Sequence, residues 1–163
     1  MGAGKSTIGP KLARRLGRRF LDTDAEVERA VGSRVAEIFE REGEPAFRSL
    51  EREAIEACCG EAAVVALGGG AVEPPGARER LASTGTVVYL RARPETLLAR
   101  LGDTRGRPLL KGLSQTGQAG RLQELLERRR AAYESASIVI DTDDLPPDSV
   151  VEALAARIER EAR

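Results

Sequence analysis

The sequence of 163 residues contains no histidine and no tryptophan, and only 3% of its residues are aromatic. Without histidine, any general base must be a carboxylate or another group. The two cysteines, Cys58 and Cys59, are adjacent, so they form neither a disulfide framework nor, with histidine absent, a zinc site. This cysteine usage fits a reducing compartment, and we expect a cytoplasmic protein.

The chain also lacks net charge and long apolar runs. Its 26 basic and 26 acidic residues are interspersed, so there is no electrostatic footprint for nucleic acid. No apolar run approaches the roughly 20 residues of a membrane helix, and no signal peptide is visible at the start. We therefore expect no nucleic-acid partner, no membrane partner and one domain over residues 1–163.

What the sequence does contain is half of a phosphate-binding motif directly after Met1. The residues are Gly2, Ala3, Gly4, Lys5, Ser6 and Thr7. They match the second half of G-x-x-x-x-G-K-[ST]. The first glycine would lie two residues upstream of Met1. We therefore expect that Met1 is an internal methionine of a longer protein.

The residue types of this loop suit nucleotide phosphates. Glycines let backbone N–H groups approach an anion. Lys5 can reach the β- and γ-phosphates, and the Ser6 hydroxyl can bind Mg²⁺. Thr7 opens a helix whose positive end adds to the site. The alternative is a flexible tail that matches by chance.

Short apolar segments alternate with helical patterns along the chain. Strands are predicted over 20–21, 63–67, 86–90 and 137–141, and helices over 8–16, 23–31, 35–42, 45–58, 77–83, 94–101, 119–134 and 147–161. The alternation predicts an α/β fold with a mainly parallel sheet and ligands at the carboxyl ends of its strands. Thr23 and Glu26 are predicted to form a capping box. The glycine-rich connection 102–120 predicts a mobile lid.

Two strand ends carry further signals. Asp22 and Asp24 alternate through Thr23, so an extended backbone would point both carboxylates the same way. One could hold Mg²⁺ while the other deprotonates an acceptor hydroxyl; the alternative is that they only cap the next helix. The triple glycine at 68–70 allows close approach of a substrate or of another strand, or is a tight turn without function.

In order and spacing, the motifs of this chain resemble the shikimate kinase family over nearly its whole length. The matching segments are 1–7 (MGAGKST), 20–24 (FLDTD), 38–39, 43–44, 47–48, Glu51, 68–70, 107–110 (RPLL), Arg129 and Tyr133. The resemblance implies a nucleoside-monophosphate-kinase-like P-loop fold, with a parallel sheet flanked by helices and the first, central strand missing from this chain. It also implies a substrate-binding helical region at 23–58 and a lid at 102–120.

The resemblance further implies transfer of the ATP γ-phosphoryl group to the 3-hydroxyl of shikimate, in the pathway to chorismate and aromatic amino acids. ATP and shikimate would be the partners, Mg²⁺ the cofactor, and the protein a monomer. Residues 2–7 would hold the ATP phosphates, with Ser6 and Asp22 on the metal side. Asp24 would bind shikimate hydroxyls and act as the base.

The resemblance also implies roles for two further sets of residues near the substrates: the remaining site arginines and the glycines of the triple glycine. Arg48 and Arg129 would clamp the shikimate carboxylate, which suits the planar fork of arginine. Gly69 and Gly70 would offer backbone to the substrate. Arg107 would close over the phosphates and, with Lys5, stabilise the transferring charge, while Arg100 would lie against the adenine.

Two alternatives remain open at this point. Another small-molecule P-loop kinase, of the gluconate or nucleoside-monophosphate type, would share residues 1–7 but not the acceptor residues. A non-catalytic kinase-like binding protein would retain the acceptor site and lack turnover.

Overall fold

The structure, a computed structural model, describes residues 1–102 and 107–161. The strands in this part of the chain are β1 (Arg19–Asp22), β2 (Ala63–Ala66), β3 (Val88–Arg91) and β4 (Ile138–Asp141). The α-helices are α1 (Lys5–Arg15), α2 (Thr23–Val31), α3 (Val35–Cys58), α4 (Ala77–Thr84), α5 (Pro94–Leu101), α6 (Gln115–Glu134) and α7 (Pro147–Glu161). A short 3₁₀ helix covers Pro108–Leu110.

The strands pair in parallel, as the alternation of strands and helices predicted. In one pair, β1 lies beside β2 with Asp22 opposite Ala66. In the other, β3 lies beside β4 with Arg91 opposite Asp141. Within the described residues these are two separate sheets of two strands each. The carboxyl ends of each pair therefore meet at one edge, where the polar residues after the strands are brought together.

A cavity of about 500 Å³ lies between the two strand pairs. Its apolar lining comes from both pairs, from α1 and from α7, and includes Leu12, Val64, Val65, Val88, Leu90 and Ile158. The strand that the resemblance places in the middle of the sheet is not among the described residues.

Helices cover the strands on both sides of this cavity. Helix α1 packs against α7 and β2, and its Ile8 and Leu12 join Ile138, Val150 and Leu154 in the main core. A second cluster unites α5, the 3₁₀ helix and α6 through Leu97, Leu110 and Leu122. A third, formed by Val27, Ile38 and Phe47, joins α2 to α3. Burial of these apolar faces fixes the helices around the carboxyl ends of the strands.

Most predicted elements are confirmed with shifted ends, and three details are corrected. The cap of α2 is Asp22 rather than Thr23, because the Asp22 carboxylate accepts hydrogen bonds from the N–H groups of Asp24 and Ala25. Helix α6 begins four residues earlier than predicted, since the Ser114 hydroxyl accepts the Gly117 N–H and caps it. The last part of the predicted lid 102–120 is therefore helical, and residues 103–106 lie outside the described residues.

The predicted break between two helices near residue 43 is confirmed. Gly43 has φ 81° and ψ 172°, which kinks α3 and separates its first half from its second. A positive φ of this kind favours glycine. In the described part of the chain, no helix is long and apolar enough to cross a membrane.

Candidate active site

The phosphate-loop residues form a turn that leads directly into α1. Gly4 is the N-cap of α1 with φ 91°, and Gly2 has φ 72°. A Cβ at Gly2 would lie 2.5 Å from the carbonyl oxygen of Leu97, so this position has no room for a side chain. The first turn of α1 contains no acidic residue and no side-chain cap. Its positive end therefore stays available to an anion.

Lys5, Asp22 and Asp24 lie close enough to interact electrostatically. Burial lowers the pKa of Lys5, and the neighbouring Asp24 and Asp22 carboxylates oppose that change. We predicted that an extended backbone through Thr23 would point both carboxylates the same way, but the backbone is not extended over all three residues. Asp22 ends β1, whereas Asp24 lies in the first turn of α2. The tight bend nevertheless brings both carboxylates to the lysine.

Asp24 has the electrostatics of a proton acceptor. Burial and then the adjacent Asp22 carboxylate raise the pKa of Asp24, while Lys5 and Arg48 lower it. Raising the pKa of a carboxyl makes its ionised form a stronger base. The Asp22 Oδ1 atom is used in the helix cap, and its other oxygen, Oδ2, is not.

Thr23 connects these aspartates to the triple glycine, a role that sequence reasoning missed. Its side chain is fully buried. The Thr23 hydroxyl donates to the carbonyl of Ala66 at 3.3 Å and accepts the N–H of Gly68 at 3.2 Å. The start of the glycine turn is thus fixed against the start of α2. No motif marks a lone threonine for such a contact, because it depends on the pairing of β1 with β2.

Arg48 lies on α3 and faces the glycine turn. Its guanidinium donates to Glu44 Oε1 at 2.8 and 3.2 Å and to Glu51 Oε2 at 2.7 Å. A Cβ at Gly70 would come within 2.4 Å of the guanidinium, so a side chain there would displace the Arg48 fork. Glu44 and Glu51 were not predicted as partners. Their spacing of four and three residues from Arg48 is the signal that could have found them.

Glu51 is more deeply buried than Arg48. Its side chain is 2% exposed, against 19% for Arg48. Burial raises the pKa of Glu51 even though Arg48 opposes the change. Its Oε1 has no hydrogen-bond partner in the described part of the chain. A Cβ at Gly68 would lie 2.0 Å from this oxygen and 3.3 Å from Asp24 Oδ1, so both carboxylates border the glycine turn.

Arg129 approaches the same turn from α6. Its Nη1 would lie 3.1 Å from a Cβ at Gly69, and its side chain is only 4% exposed. The Nε and Nη2 atoms both donate to Glu73 Oε1, at 2.8 and 2.6 Å. One turn further along α6, the Tyr133 hydroxyl donates to the Gly69 carbonyl at 2.7 Å. The two predicted carboxylate-binding arginines therefore lie beside two consecutive glycines, Arg129 next to Gly69 and Arg48 next to Gly70.

The other two predicted arginines have different surroundings. Arg107 precedes the 3₁₀ helix, and its positive charge contributes to lowering the pKa of Lys5. It is therefore close to the phosphate loop. Arg100, on α5, donates to the hydroxyl and the carbonyl of Thr142 just after β4, at 2.9 and 2.6 Å. Arg100 is thus anchored at the carboxyl end of β4.

The donor set near the phosphate loop suits magnesium better than a softer metal. Within residues 1–102 and 107–161, no group of three or more histidine, cysteine, aspartate or glutamate side chains could hold a metal ion. The Ser6 hydroxyl and the Asp22 carboxylate are hard oxygen donors. Mg²⁺ is commonly held by one or two such groups together with substrate phosphates. The residues therefore fit a magnesium ion that arrives with a nucleotide.

Together these contacts bring the phosphate loop and the two arginines close to the same residues. Lys5 and Arg48 both interact electrostatically with Asp24, and Arg48 and Arg129 lie beside Gly70 and Gly69. The arrangement provides a positive helix end, a lysine, the Asp24 carboxylate and two guanidinium groups. Such a set can bind a polyphosphate on one side and an acid bearing hydroxyl groups on the other.

Comparison with known proteins gives one family. The family model described as shikimate kinase matches residues 1–159. A shikimate kinase of Chlorobium chlorochromatii is 45% identical over 168 residues, which cover 99% of this chain and 88% of the relative. A shikimate kinase of Pseudomonas syringae pv. syringae is 45% identical over 161 residues, with 97% and 91% covered.

Solved structures of the same family have a similar fold. Shikimate kinase from Acinetobacter baumannii in complex with shikimate superposes with a TM-score of 0.92 and 37% identity, covering 99% of this chain and 89% of that one. Shikimate kinase from Aquifex aeolicus gives a TM-score of 0.82 with 35% identity, covering 99% and 94%. The similarity thus extends over nearly the whole chain in sequence and in fold.

Proposed function

Because this chain belongs to the shikimate kinase family, we propose that it transfers the γ-phosphoryl group of ATP to the 3-hydroxyl of shikimate. The observation that carries the proposal is the position of Asp24. This carboxylate interacts electrostatically with the phosphate-loop Lys5 and with the arginine Arg48. A base in that position would face a phosphoryl donor on one side and a carboxylate-bearing acceptor on the other.

The phosphate half of the site would hold ATP. Backbone N–H groups of residues 2–7 and the start of α1 would bind the β- and γ-phosphates, with the Lys5 ammonium beside them. Arg107 would add positive charge on the transferring group. Ser6 and Asp22 would hold Mg²⁺, which would neutralise phosphate charge when bound. Arg100, next to Thr142, would lie against the adenine.

The acceptor half would hold shikimate by its carboxylate and its hydroxyls. Arg48 and Arg129 have guanidinium forks next to Gly70 and Gly69, and such forks match a carboxylate. The backbone of the two glycines would contact the ring because no side chain intervenes. Asp24 would accept hydrogen bonds from the hydroxyls and set the reacting one in line with the γ-phosphate.

The transfer itself needs few covalent steps from the protein. The 3-hydroxyl proton passes to an Asp24 oxygen as the hydroxyl oxygen bonds to the γ-phosphorus. The bond from that phosphorus to the β–γ bridging oxygen breaks, and ADP leaves. Since phosphoryl transfer has a loose transition state, alignment by Asp24 and charge stabilisation by Lys5 and Arg107 would supply most of the catalysis.

The organisation of the chain follows from these roles. We propose a single kinase domain in which residues 23–58 form the substrate-binding helical region and residues 102–120 act as the lid. We propose that the protein is a monomer. Two unpaired cysteines and the use of ATP support a cytoplasmic location.

A panel of acceptors tests the function. ADP release would be measured with Mg-ATP and shikimate, gluconate or AMP in parallel. We expect release that depends on shikimate, with shikimate 3-phosphate as the product by mass spectrometry. Phosphorylation of gluconate or AMP without shikimate would favour the other P-loop kinases. Shikimate binding without turnover would favour the non-catalytic protein.

A further inference from the structure

The carboxylate-binding edge of Arg129 is engaged by a glutamate of the same chain. The Nε and Nη2 atoms form the side of the guanidinium that pairs with a carboxylate, and both donate to Glu73 Oε1. The third nitrogen, Nη1, faces Gly69 instead. A substrate carboxylate that approaches this edge of Arg129 therefore meets one already bound there.

Glu73 is connected to a second arginine through its other oxygen. Arg128 Nε lies 2.8 Å from Glu73 Oε2, so one carboxylate bridges two consecutive arginines of α6. The Arg128 side chain is 47% exposed, and that of Glu73 is 26% exposed. Glu73 thus has a solvent-facing partner, to which it could remain bound if it left Arg129.

The backbone holds Glu73 at this place. Its N–H donates to the carbonyl of Gly70 at 3.0 Å, so the residue closes the turn that follows the triple glycine. This position differs from that of Glu51, which holds Arg48 but is only 2% exposed and has no exit. Of these two carboxylates, Glu73 is the one that can move without being drawn out of the interior.

We propose that Glu73 is an internal competitor for the substrate carboxylate and sets the affinity of the site for acidic acceptors. In the empty site it binds Arg129 and keeps the fork ordered. When the acceptor binds, the Glu73 carboxylate leaves Arg129 and stays with Arg128. The inference rests on the proposed function for the identity of the acceptor, shikimate.

Such competition would change the affinity for the acceptor without changing the rate of phosphoryl transfer. Displacing Glu73 costs free energy once, at binding, and the cost is the same in the ground state and in the transition state. Such a uniform term alters the Kd and the KM while kcat stays constant. Glutamine at this position would keep the size of the side chain and remove the charge that competes.

The test is shikimate binding by calorimetry without ATP, with turnover measured separately. We expect Glu73→Gln to lower the shikimate Kd by about three- to tenfold, since every 1.4 kcal/mol is a factor of ten, with kcat unchanged. Glu79→Gln, an exposed change on α4, is the matched control and should leave the Kd unchanged.

A second variant tests the role of Arg128 in the opposite direction. Arg128→Gln removes the partner that receives Glu73, so it should raise the Kd by a similar factor in the native background. In the Glu73→Gln background it should have no effect, which is a coupling that a double-mutant cycle measures.

The outcomes separate the inference from the proposed function. Tighter binding by Glu73→Gln supports the inference even if no variant turns over, in which case only the function fails. If the native protein phosphorylates shikimate but Glu73→Gln binds it equally or less tightly, Glu73 is only a structural support for Arg129 and the inference is wrong. No binding of shikimate by any variant overturns both.

Discussion

Arg48 and Glu51 lie one turn apart on α3 and are joined by a bond of 2.7 Å between Nη1 and Oε2. The pair fixes the direction of the Arg48 fork toward Gly70, where a Cβ would collide with it. A buried acid, an arginine and a glycine thus define one wall of the acceptor site. The geometry of that wall depends on the acid as much as on the arginine.

Removal of Glu51 should therefore damage both affinity and stability. Among the residues that the structure describes, Glu51→Ala leaves Arg48 with Glu44 as its only carboxylate partner, so we expect the KM for shikimate to rise about tenfold. The free energy of unfolding should fall by about 1–3 kcal/mol, less than for a fully buried pair, because Arg48 is partly exposed. Steady-state kinetics and urea unfolding measure the two effects. Glu53→Ala, on the exposed face of α3, should change neither, and equal damage by both variants would contradict the account.

Loss of the Lys5 ammonium should abolish most turnover without unfolding the protein. Lys5→Met keeps a chain of similar length but removes the charge beside the phosphates, and we expect kcat to fall by at least about 100-fold. Lys11→Met serves as the control, because Lys11 lies on α1 in a surface pair with Asp148 at 2.6 Å. Comparable rates for the native protein and Lys5→Met would show that the loop does not hold the reacting phosphate.

The sequence alone predicts a phosphate loop at residues 2–7, because the chemistry of such a loop restricts the residue types strictly. Positive φ at Gly2 and Gly4 and a lysine at the start of a helix leave few substitutes. Arg48 and Arg129 were predicted through the family resemblance, since an arginine-rich chain gives no local reason to single them out.

What the sequence could not predict are contacts that only the tertiary fold creates. Glu73 meets Arg128 and Arg129 across 55 and 56 positions, and Thr23 meets Ala66 across 43. No periodicity encodes such distances. The cap of α2 was misassigned because Thr23 and Asp22 are both good cap residues, and the choice depends on where β1 ends.

Replacing Asp24 by asparagine should lower the rate while shape is preserved. Asparagine cannot accept the hydroxyl proton, so we expect kcat to fall by about 10²- to 10⁴-fold. Glu26→Gln, which alters an exposed pair with Arg29 on the same helix, is the control and should retain activity. If the Asp24→Asn variant kept its activity, the proton acceptor would have to be another group.

The same substitution should raise stability at neutral pH. The folded-state pKa of Asp24 is raised above its ordinary value of 3.8, so the folded protein binds this proton more tightly than the unfolded chain does. Stability then falls as the pH rises from 3.8 through the raised pKa. Asparagine removes that loss, and Asp24→Asn should melt above the native protein at pH 7. The difference should shrink at low pH, and an unchanged difference across the range would contradict the assigned pKa direction.

The Tyr133 hydroxyl should contribute measurably to the glycine turn. Tyr133→Phe removes its bond to the Gly69 carbonyl but keeps the ring that stacks on Tyr89 at 4.8 Å. We expect the free energy of unfolding to fall by about 1 kcal/mol, with a higher KM for shikimate. Tyr89→Phe is the matched control, because it keeps the stacked rings and the hydrogen bond to Gly69. Identical stabilities for the two variants would show that this hydrogen bond is not needed.

The central claim is that the protein transfers the γ-phosphoryl group of ATP to the 3-hydroxyl of shikimate, and label transfer tests it most directly. The protein would be incubated with γ-labelled ATP, Mg²⁺ and shikimate, and the label would be followed while phosphorus NMR locates the new ester. The account predicts one labelled shikimate 3-phosphate for each ADP formed, with the phosphorus coupled to the proton on carbon 3. Release of labelled inorganic phosphate alone, or labelling of any other position or acceptor, would contradict it.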